Sequence, residues 1–150
     1  MSEAAPVQRI TRATPAGFEA AGSAKTVTSY RTWQFSGGWP PGDGWPAKNI
    51  HTDLEFARAC GLPVRAASGA MPLGYLADLM ADLFGDGWLS RGRIEAKFVR
   101  LVGVDDTIMA RAHVRSIERE RDGTRFELDL WCENQSGEKV VVGSGVGWKD

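Results

Sequence analysis

Apolar residues recur at intervals of three and four positions between Ala70 and Phe84, which predicts one long helix. The stripe consists of Leu73, Leu76, Ala77, Met80, Leu83 and Phe84. Tyr75 and Leu79 lie outside this stripe, so the helix is apolar on most of its faces. A helix of this kind is normally buried, and we therefore expect other elements to cover it on several sides.

Alternating apolar and polar residues predict β-strands in the second half of the chain. The predicted strands are Arg93–Val102, Thr107–Glu118, Arg125–Glu133 and Lys139–Trp148, with an earlier strand at Lys25–Phe35. Asp122-Gly123 carries the signal of a tight hairpin between the second and third of the four. Glycines alternate at 143, 145 and 147, which predicts that another part of the molecule approaches the last strand closely.

A shorter helix is predicted over His51–Cys60, where Thr52 or Asp53 can accept a hydrogen bond from its first turn. The glycine- and proline-rich segment Ser36–Trp45 is a predicted loop that carries Trp39 and Trp45. Its indoles either pack onto the core or form a wall over a ligand pocket. A strand, two helices and four antiparallel strands form an α+β layout, with the sheet curled around the long central helix.

The chain has 150 residues and a net charge of −1, which fit a single globular domain without a basic face for nucleic acid. We expect this domain to span residues 25–150 and residues 1–24 to form an N-terminal arm.

No run approaches the ~18 apolar residues of a membrane helix, and the N-terminus lacks a secretory pattern, so a cytoplasmic protein is expected. Cys60 and Cys132 are expected to be buried thiols, with a disulfide as the alternative.

The candidate chemistry lies where the two predicted helices begin. His51 stands at the start of the shorter helix, and an imidazole can transfer protons near neutral pH. Ser68-Gly69 precedes the longer helix, whose first backbone amides can stabilise an oxyanion. An imidazole and such amides are the groups needed to handle an acyl thioester. The sequence contains neither a phosphate-binding glycine loop nor a metal-ligand cluster, so no cofactor is expected.

These residues resemble the MaoC-like hot-dog enoyl-CoA hydratase and acyl dehydratase family. The resemblance covers roughly residues 45 to 148 and rests on Asn49-Ile50-His51-Thr52-Asp53, Ser68-Gly69-Ala70-Met71, Gly92-Arg93, Lys97-Phe98 and Asn134-Gln135. It implies a hot-dog fold with His51 as the acid/base group and the amides of Gly69 and Ala70 as the oxyanion contact. Residues expected to contact the substrate are Ser68, Gly69, Ala70, Met71, Trp39 and Trp45.

Two residues of the family motif are missing, and one of them is its asparagine, which falls on Lys48. The family's catalytic aspartate falls on Pro46, which carries no acid or base. Asp43 or Asp53 could stand in, a partner subunit could supply the carboxylate, or the reaction could differ. Asn49 could orient His51 or a water molecule, or could only bond to the local backbone.

The resemblance implies a lyase of the (R)-specific enoyl-CoA hydratase or 3-hydroxyacyl dehydratase type. Its substrate would be an acyl-CoA or acyl-carrier-protein thioester, and its assembly a homodimer. One alternative is a non-catalytic subunit that forms a heterodimer with a related hot-dog chain in a heteromeric dehydratase. Another is an acyl-CoA thioesterase, for which Asp78 or Asp82 would have to provide a carboxylate.

Overall fold

The long helix forms at its predicted limits, Ala70–Phe84, and packs against an antiparallel sheet. The structure is a computed structural model that describes residues 8–39 and 42–150. Its helices are α1 (Ser29–Ser36), α2 (Leu54–Ala59), α3 (Ala70–Phe84) and α4 (Asp86–Arg91). Its strands are β1 (Glu19–Ala21), β2 (Lys25–Thr26), β3 (Arg93–Phe98), β4 (Thr107–Glu120), β5 (Gly123–Glu133) and β6 (Lys139–Lys149).

The six strands form one sheet in the order β1-β4-β5-β6-β3, with β2 also paired to β4. Each pairing is antiparallel. The predicted alternation is confirmed on β4 and β5, whose buried positions include Ile108, Val114, Phe126 and Leu130. Strands with one apolar face have to cover that face with another element, and α3 is the element that covers it. The fold is therefore the expected α+β hot-dog architecture, a curled antiparallel sheet around one central helix.

The glycines of β6 make room for α3. A side chain on Gly145 would lie 3.2 Å from the terminal methyl group of Met80, and one on Gly147 would lie 2.5 Å from the ring of Phe84. The predicted close approach is confirmed: the central helix approaches Gly145 and Gly147, whereas the backbone of Glu95 in β3 approaches Gly143. Phe84 then packs against Phe126, with 5.7 Å between ring centroids.

The predicted strand Lys25–Phe35 is wrong beyond its first two residues. Only Lys25–Thr26 is a strand, and Ser29–Ser36 forms α1. The hydroxyl of Thr28 accepts a hydrogen bond from the Arg31 amide at 3.2 Å and so caps this helix. The helical spacing also brings Tyr30 and Trp33 together onto Trp45, and these contacts outweigh the β-propensity of the segment.

The helices differ from the prediction in two further ways. The shorter predicted helix begins at Leu54 rather than His51, because Asp53 is its N-cap and accepts from the Phe56 amide at 2.8 Å. Helix α4 was not predicted, since Gly85 and Gly87 indicated a loop. Gly85 does end α3, with φ of 60°, but a new short helix follows directly.

The segment before β2 is attached to the domain over its described length. Ile10 is buried, and its amide donates to the carbonyl of Leu83 at 3.0 Å. Glu19–Ala21 pairs with β4 at the edge of the sheet. Residues 1–7 of the predicted arm lie outside the described residues.

Both cysteines are free thiols, which removes the disulfide alternative. Cys132 is buried as predicted. Cys60 is exposed, so the expectation that both thiols are buried is wrong for this one, which ends α2 at the surface. Within residues 8–39 and 42–150, no helix combines the length and apolar character needed to cross a bilayer.

Candidate functional site

His51 lies in a hydrogen-bonded turn that precedes α2. The Asn49 carbonyl accepts from the amides of Thr52 and Asp53, at 3.2 and 3.1 Å. The Thr52 hydroxyl donates to the Ala47 carbonyl at 2.6 Å and accepts from the Asn49 amide at 3.1 Å. The turn is therefore fixed on both sides of the histidine, which limits the positions its ring can take.

The imidazole of His51 is oriented by a backbone carbonyl. Its Nδ1 lies 2.7 Å from the oxygen of Ala66. A carbonyl oxygen can only accept, so this bond assigns the proton to Nδ1. In the neutral ring, Nε2 then carries the lone pair, and it makes no hydrogen bond to the described residues. The ring is half-buried, with Nε2 available to a ligand or a water molecule.

The Ala66 carbonyl is held in place by the strand-like segment around it. The Ala66 amide donates to the Ile50 carbonyl at 3.0 Å, so the chain around His51 and the chain around Ala66 are tied to each other. The Ala67 amide donates to Val102 at 2.7 Å, and the Val104 amide donates to Arg65 at 2.9 Å. The orientation of the imidazole thus depends on tertiary hydrogen bonds rather than on its own helix.

The first turn of α3 offers two amides. Gly69 is the N-cap, and its N–H makes no hydrogen bond to the described residues. Among the described residues, the Ala70 amide has only a long bond, 3.4 Å, to the Ser68 hydroxyl. The Met71 amide is taken by the Ser68 carbonyl at 2.9 Å, and Pro72 has no amide hydrogen. Gly69 and Ala70 are therefore the donors available to an anion at this helix end.

The ring of His51 and these amides lie at the same end of the molecule. Gly69 follows Ala66 by three residues, which limits the path from the imidazole to the Gly69 amide to at most about 12 Å. Met71, another predicted contact residue, is buried in the core beneath this turn.

Asn49 uses its side chain for the backbone. Its Oδ1 accepts from the His51 amide at 2.8 Å, and its Nδ2 donates to the Ser36 carbonyl at 2.7 Å. Nδ2 also lies 3.3 Å from the Ala47 carbonyl. Of the two roles considered for Asn49, these contacts favour local backbone bonding, and they join the end of α1 to the turn of His51.

Neither nearby aspartate has a hydrogen bond to His51 within the described residues. Asp53 caps α2 and lies 3.7 Å from the ammonium group of Lys48. Asp43 is exposed in the loop after α1. The position of the family's aspartate, Pro46, packs against the C-terminal end of α1, where a side chain on Gly37 would lie 2.7 Å from the Pro46 Cβ.

The two loop tryptophans occupy different environments. Trp45 donates from Nε1 to the Gly38 carbonyl at 3.2 Å and packs edge-on against Trp33, 6.1 Å between centroids. Trp39 is 94% exposed. The indole of Trp45 therefore packs onto α1, whereas that of Trp39 faces solvent.

Sequence reasoning missed two parts of this region. One is the Ala66 carbonyl, because a backbone acceptor leaves no signal in the residue types. The other is Phe98, whose ring lies against Gly69. The resemblance includes Lys97-Phe98, but it predicts no contact between β3 and the head of α3.

The described residues contain no group of three or more His, Cys, Asp or Glu side chains arranged to hold a metal ion. Asp78, a carboxylate that thioester hydrolysis would require, forms an ion pair with Lys25 at 3.0 Å. Asp82 is exposed on the outer side of α3.

Comparison with known proteins identifies a family and a fold. The model of the MaoC like domain family matches residues 46–130. None of the curated proteins compared with the chain matches it.

Solved structures share the fold at low sequence identity. An (R)-hydratase from A. caviae involved in PHA biosynthesis is 17% identical with a TM-score of 0.68, covering 91% of this chain and 97% of its own. A MaoC-like dehydratase from Rhodospirillum rubrum is 19% identical with a TM-score of 0.71, covering 91% and 94%. The truncated HadBC (3R-hydroxyacyl-ACP dehydratase) complex from Mycobacterium tuberculosis is 14% identical with a TM-score of 0.68, covering 93% and 100%.

Proposed function

Because the chain belongs to the MaoC-like domain family, we propose that it is a lyase acting on an acyl thioester. The proposed reaction is that of an (R)-specific enoyl-CoA hydratase or 3-hydroxyacyl dehydratase. The observation that supports it is the bond between Nδ1 of His51 and the Ala66 carbonyl, which leaves the lone pair of Nε2 for proton transfer.

In the hydration direction, Nε2 of His51 removes a proton from water. The hydroxide oxygen forms a bond to C3 of the 2-enoyl thioester, and the π electrons move to the thioester oxygen. The amides of Gly69 and Ala70 donate to this oxyanion. The imidazolium then delivers its proton to C2 as the carbonyl re-forms, and dehydration follows the same steps in reverse.

His51 carries both proton transfers in this proposal. Pro46 has no acid or base, Asp53 is engaged as a helix cap, and Asp43 is exposed. A single imidazole can serve both steps if the two protons move on the same face of the acyl group.

The substrate is proposed to be an acyl-CoA or acyl-carrier-protein thioester, and the assembly a homodimer. Strand β3 pairs only with β6 among the described strands, so its other edge has unpaired backbone groups. Leu101 adds an exposed apolar side chain at the same place. A second copy would cover both features.

A second candidate function follows from Pro46. A chain without the aspartate could serve as the non-catalytic subunit of a heteromeric dehydratase, and the HadBC complex is a heteromeric relative of the same fold. The related partner chain would then supply the acid and base.

The test is hydration of a trans-2-enoyl-CoA, followed by loss of the ultraviolet absorbance of the conjugated thioester. His51→Ala is expected to lower kcat about 10²- to 10⁴-fold, because proton transfer in the transition state is lost. His113→Ala is the matched control, since His113 lies on the outer face of the sheet, 3.6 Å from Asp129. Both variants should melt within a few degrees of the wild type.

The same assay separates the two candidate functions. Turnover by the lone chain that disappears in His51→Ala supports the enzyme and excludes the non-catalytic subunit. A folded lone chain that turns over no enoyl thioester of any length supports the subunit.

A further inference from the structure

Phe98 ends β3 on the side of the sheet that faces α3. Side chains alternate along a strand, so Phe98 shares its face with Ile94 and Ala96, both of which pack against the core. Phe98 lies beyond the last core contact of this face and is 50% exposed. A half-exposed aromatic ring at the end of an edge strand is available to a ligand on its outer side.

The ring of Phe98 lies directly over Gly69. A Cβ built on Gly69 would be 3.3 Å from both Cε1 and Cζ of the ring and 3.7 Å from Cδ1. Carbon atoms in ordinary contact are about 3.5–4.0 Å apart, so a side chain at residue 69 would press against the ring. Glycine at this position thus has a packing reason in addition to its amide.

The ring is held there by the backbone on both sides. Phe98 pairs with Val141 of β6, and the next amide, that of Val99, donates to the Val140 carbonyl at 3.0 Å. On the other side, the Ala67 amide donates to Val102 at 2.7 Å, which ties the approach to Gly69 to the chain that follows β3. The backbone that carries the ring and the backbone that leads to Gly69 are therefore both fixed by hydrogen bonds of the fold.

We infer that Phe98 is a specificity-determining residue that excludes acyl thioesters branched at C2. The inference rests on the proposed function, because it takes the amides of Gly69 and Ala70 as the site of the thioester oxygen. An oxygen about 2.9 Å from an amide nitrogen places C2 of the acyl group within about 5–6 Å of it. The Phe98 ring bounds that same volume, and a methyl group on C2 would collide with it.

The experiment compares trans-2-butenoyl-CoA with its 2-methyl derivative. The wild type is expected to prefer the unbranched substrate in kcat/KM by at least about ten-fold, the size of effect that one methyl group has in a closed apolar pocket. Phe98→Ala opens the space and is expected to reduce this preference by about ten-fold. Phe98→Leu keeps an apolar side chain on β3 and should give an intermediate preference.

Val99→Ala is the matched control. It removes another exposed apolar side chain, one residue along the chain and beyond the end of β3, and should leave the preference unchanged. Thermal melting of each variant checks that it is folded. If the Phe98 variants do not fold, the measurement on the wild type alone still tests the inference, because equal kcat/KM for the two substrates overturns it.

Failure of the inference and failure of the proposed function give different results. A wild type that hydrates both substrates, with a preference that neither Phe98 variant changes, overturns the role of Phe98 and leaves the lyase in place. If the lone chain turns over neither substrate, binding of the saturated butanoyl-CoA and 2-methylbutanoyl-CoA is measured by calorimetry. Equal binding of the two, or no binding, overturns the inference, and tighter binding of the unbranched thioester that Phe98→Ala abolishes supports it.

Discussion

Tyr75 has a buried hydroxyl that makes no hydrogen bond to the described residues. Burial raises the pKa of its phenol, and the guanidinium of Arg31 partly opposes this shift. The ammonium group of Lys25 lies 4.9 Å from the ring centroid, and the ring packs against the core. The aromatic ring of Tyr75 therefore stabilises the folded state, whereas burial of its hydroxyl oxygen costs desolvation free energy.

Tyr75→Phe is expected to keep the free energy of unfolding or to raise it by up to about 1 kcal/mol, because it removes a buried polar atom without a partner. Urea denaturation measures the change. Tyr30→Phe removes the hydroxyl of an exposed tyrosine and should have no effect. A loss of more than about 1 kcal/mol in Tyr75→Phe alone would mean that the hydroxyl has a partner in solution.

The two thiols differ in environment. Burial raises the pKa of Cys132 to about 12, and its Sγ lies 3.5 Å from the carbonyl of Pro72. Cys60 is exposed at the end of α2. The thiolate is the reactive form of cysteine, so a buried thiol with a raised pKa is inert near neutral pH.

Iodoacetamide at pH 8 is therefore expected to label Cys60 in the folded protein and both cysteines after denaturation. Intact mass and peptide mapping count and locate the labels. Cys60→Ser should take no label while folded. Rapid labelling of Cys132 in the native protein would contradict its burial.

At the scale of elements, the contact between α3 and β6 explains why this sheet needs glycines. The space that a side chain on Gly147 would enter is filled by the ring of Phe84. Gly74, in the middle of α3, is a contrasting case, because a side chain there would meet nothing within 4 Å. Glycine in a helix interior costs stability when no contact requires it.

Gly147→Ala is expected to lower the free energy of unfolding by about 1–3 kcal/mol, since the new methyl group would force Phe84 out of its place. Gly74→Ala is the matched control and is expected to raise it by about 0.5–1 kcal/mol. Thermal and urea denaturation measure both changes. Equal effects of the two substitutions would contradict the packing of α3 on β6.

At the scale of the whole molecule, the outer face of the sheet is covered by paired charges. Arg115 lies 3.1 Å from Glu127 and 3.3 Å from Asp129, and Arg125 lies 2.7 Å from Glu127. The hydrogen bond from Arg115, followed by that from Arg125, lowers the pKa of the Glu127 carboxyl. The positive and negative charges in these pairs offset one another, which is consistent with the net charge of −1 of the chain.

The lowered pKa of Glu127 fixes the sign of its effect on acid stability. The carboxylate stabilises the folded state at pH values above the unfolded pKa of about 4.3, and this stabilisation is lost as pH falls through the folded pKa. Glu127→Gln is therefore expected to melt lower than the wild type near pH 7 and to lose less of its Tm between pH 6 and pH 3. Melting curves over that range measure the difference, and parallel curves would contradict it.

More of the fold than of the candidate site could be predicted from the sequence. The limits of α3 and the pattern of β4 and β5 could be predicted, because periodicity records which face of an element is buried. The segment 25–35 was predicted wrongly, because the cap at Thr28 and the contact of Tyr30 and Trp33 with Trp45 are not visible in an alternating pattern. Helix α4 was missed because Gly85 and Gly87 indicated only a break.

Local sequence patterns are enough to predict the apolar helix α3, the alternating strands and the candidate residues where the helices begin, since these depend on neighbours close along the chain. Which nitrogen of His51 carries the proton becomes known only from the folded chain, because it depends on a carbonyl fifteen residues away. The folded chain also shows that Asn49 bonds to backbone and that Phe98 covers Gly69. These contacts form only once the sheet has curled around α3 and brought distant residues together.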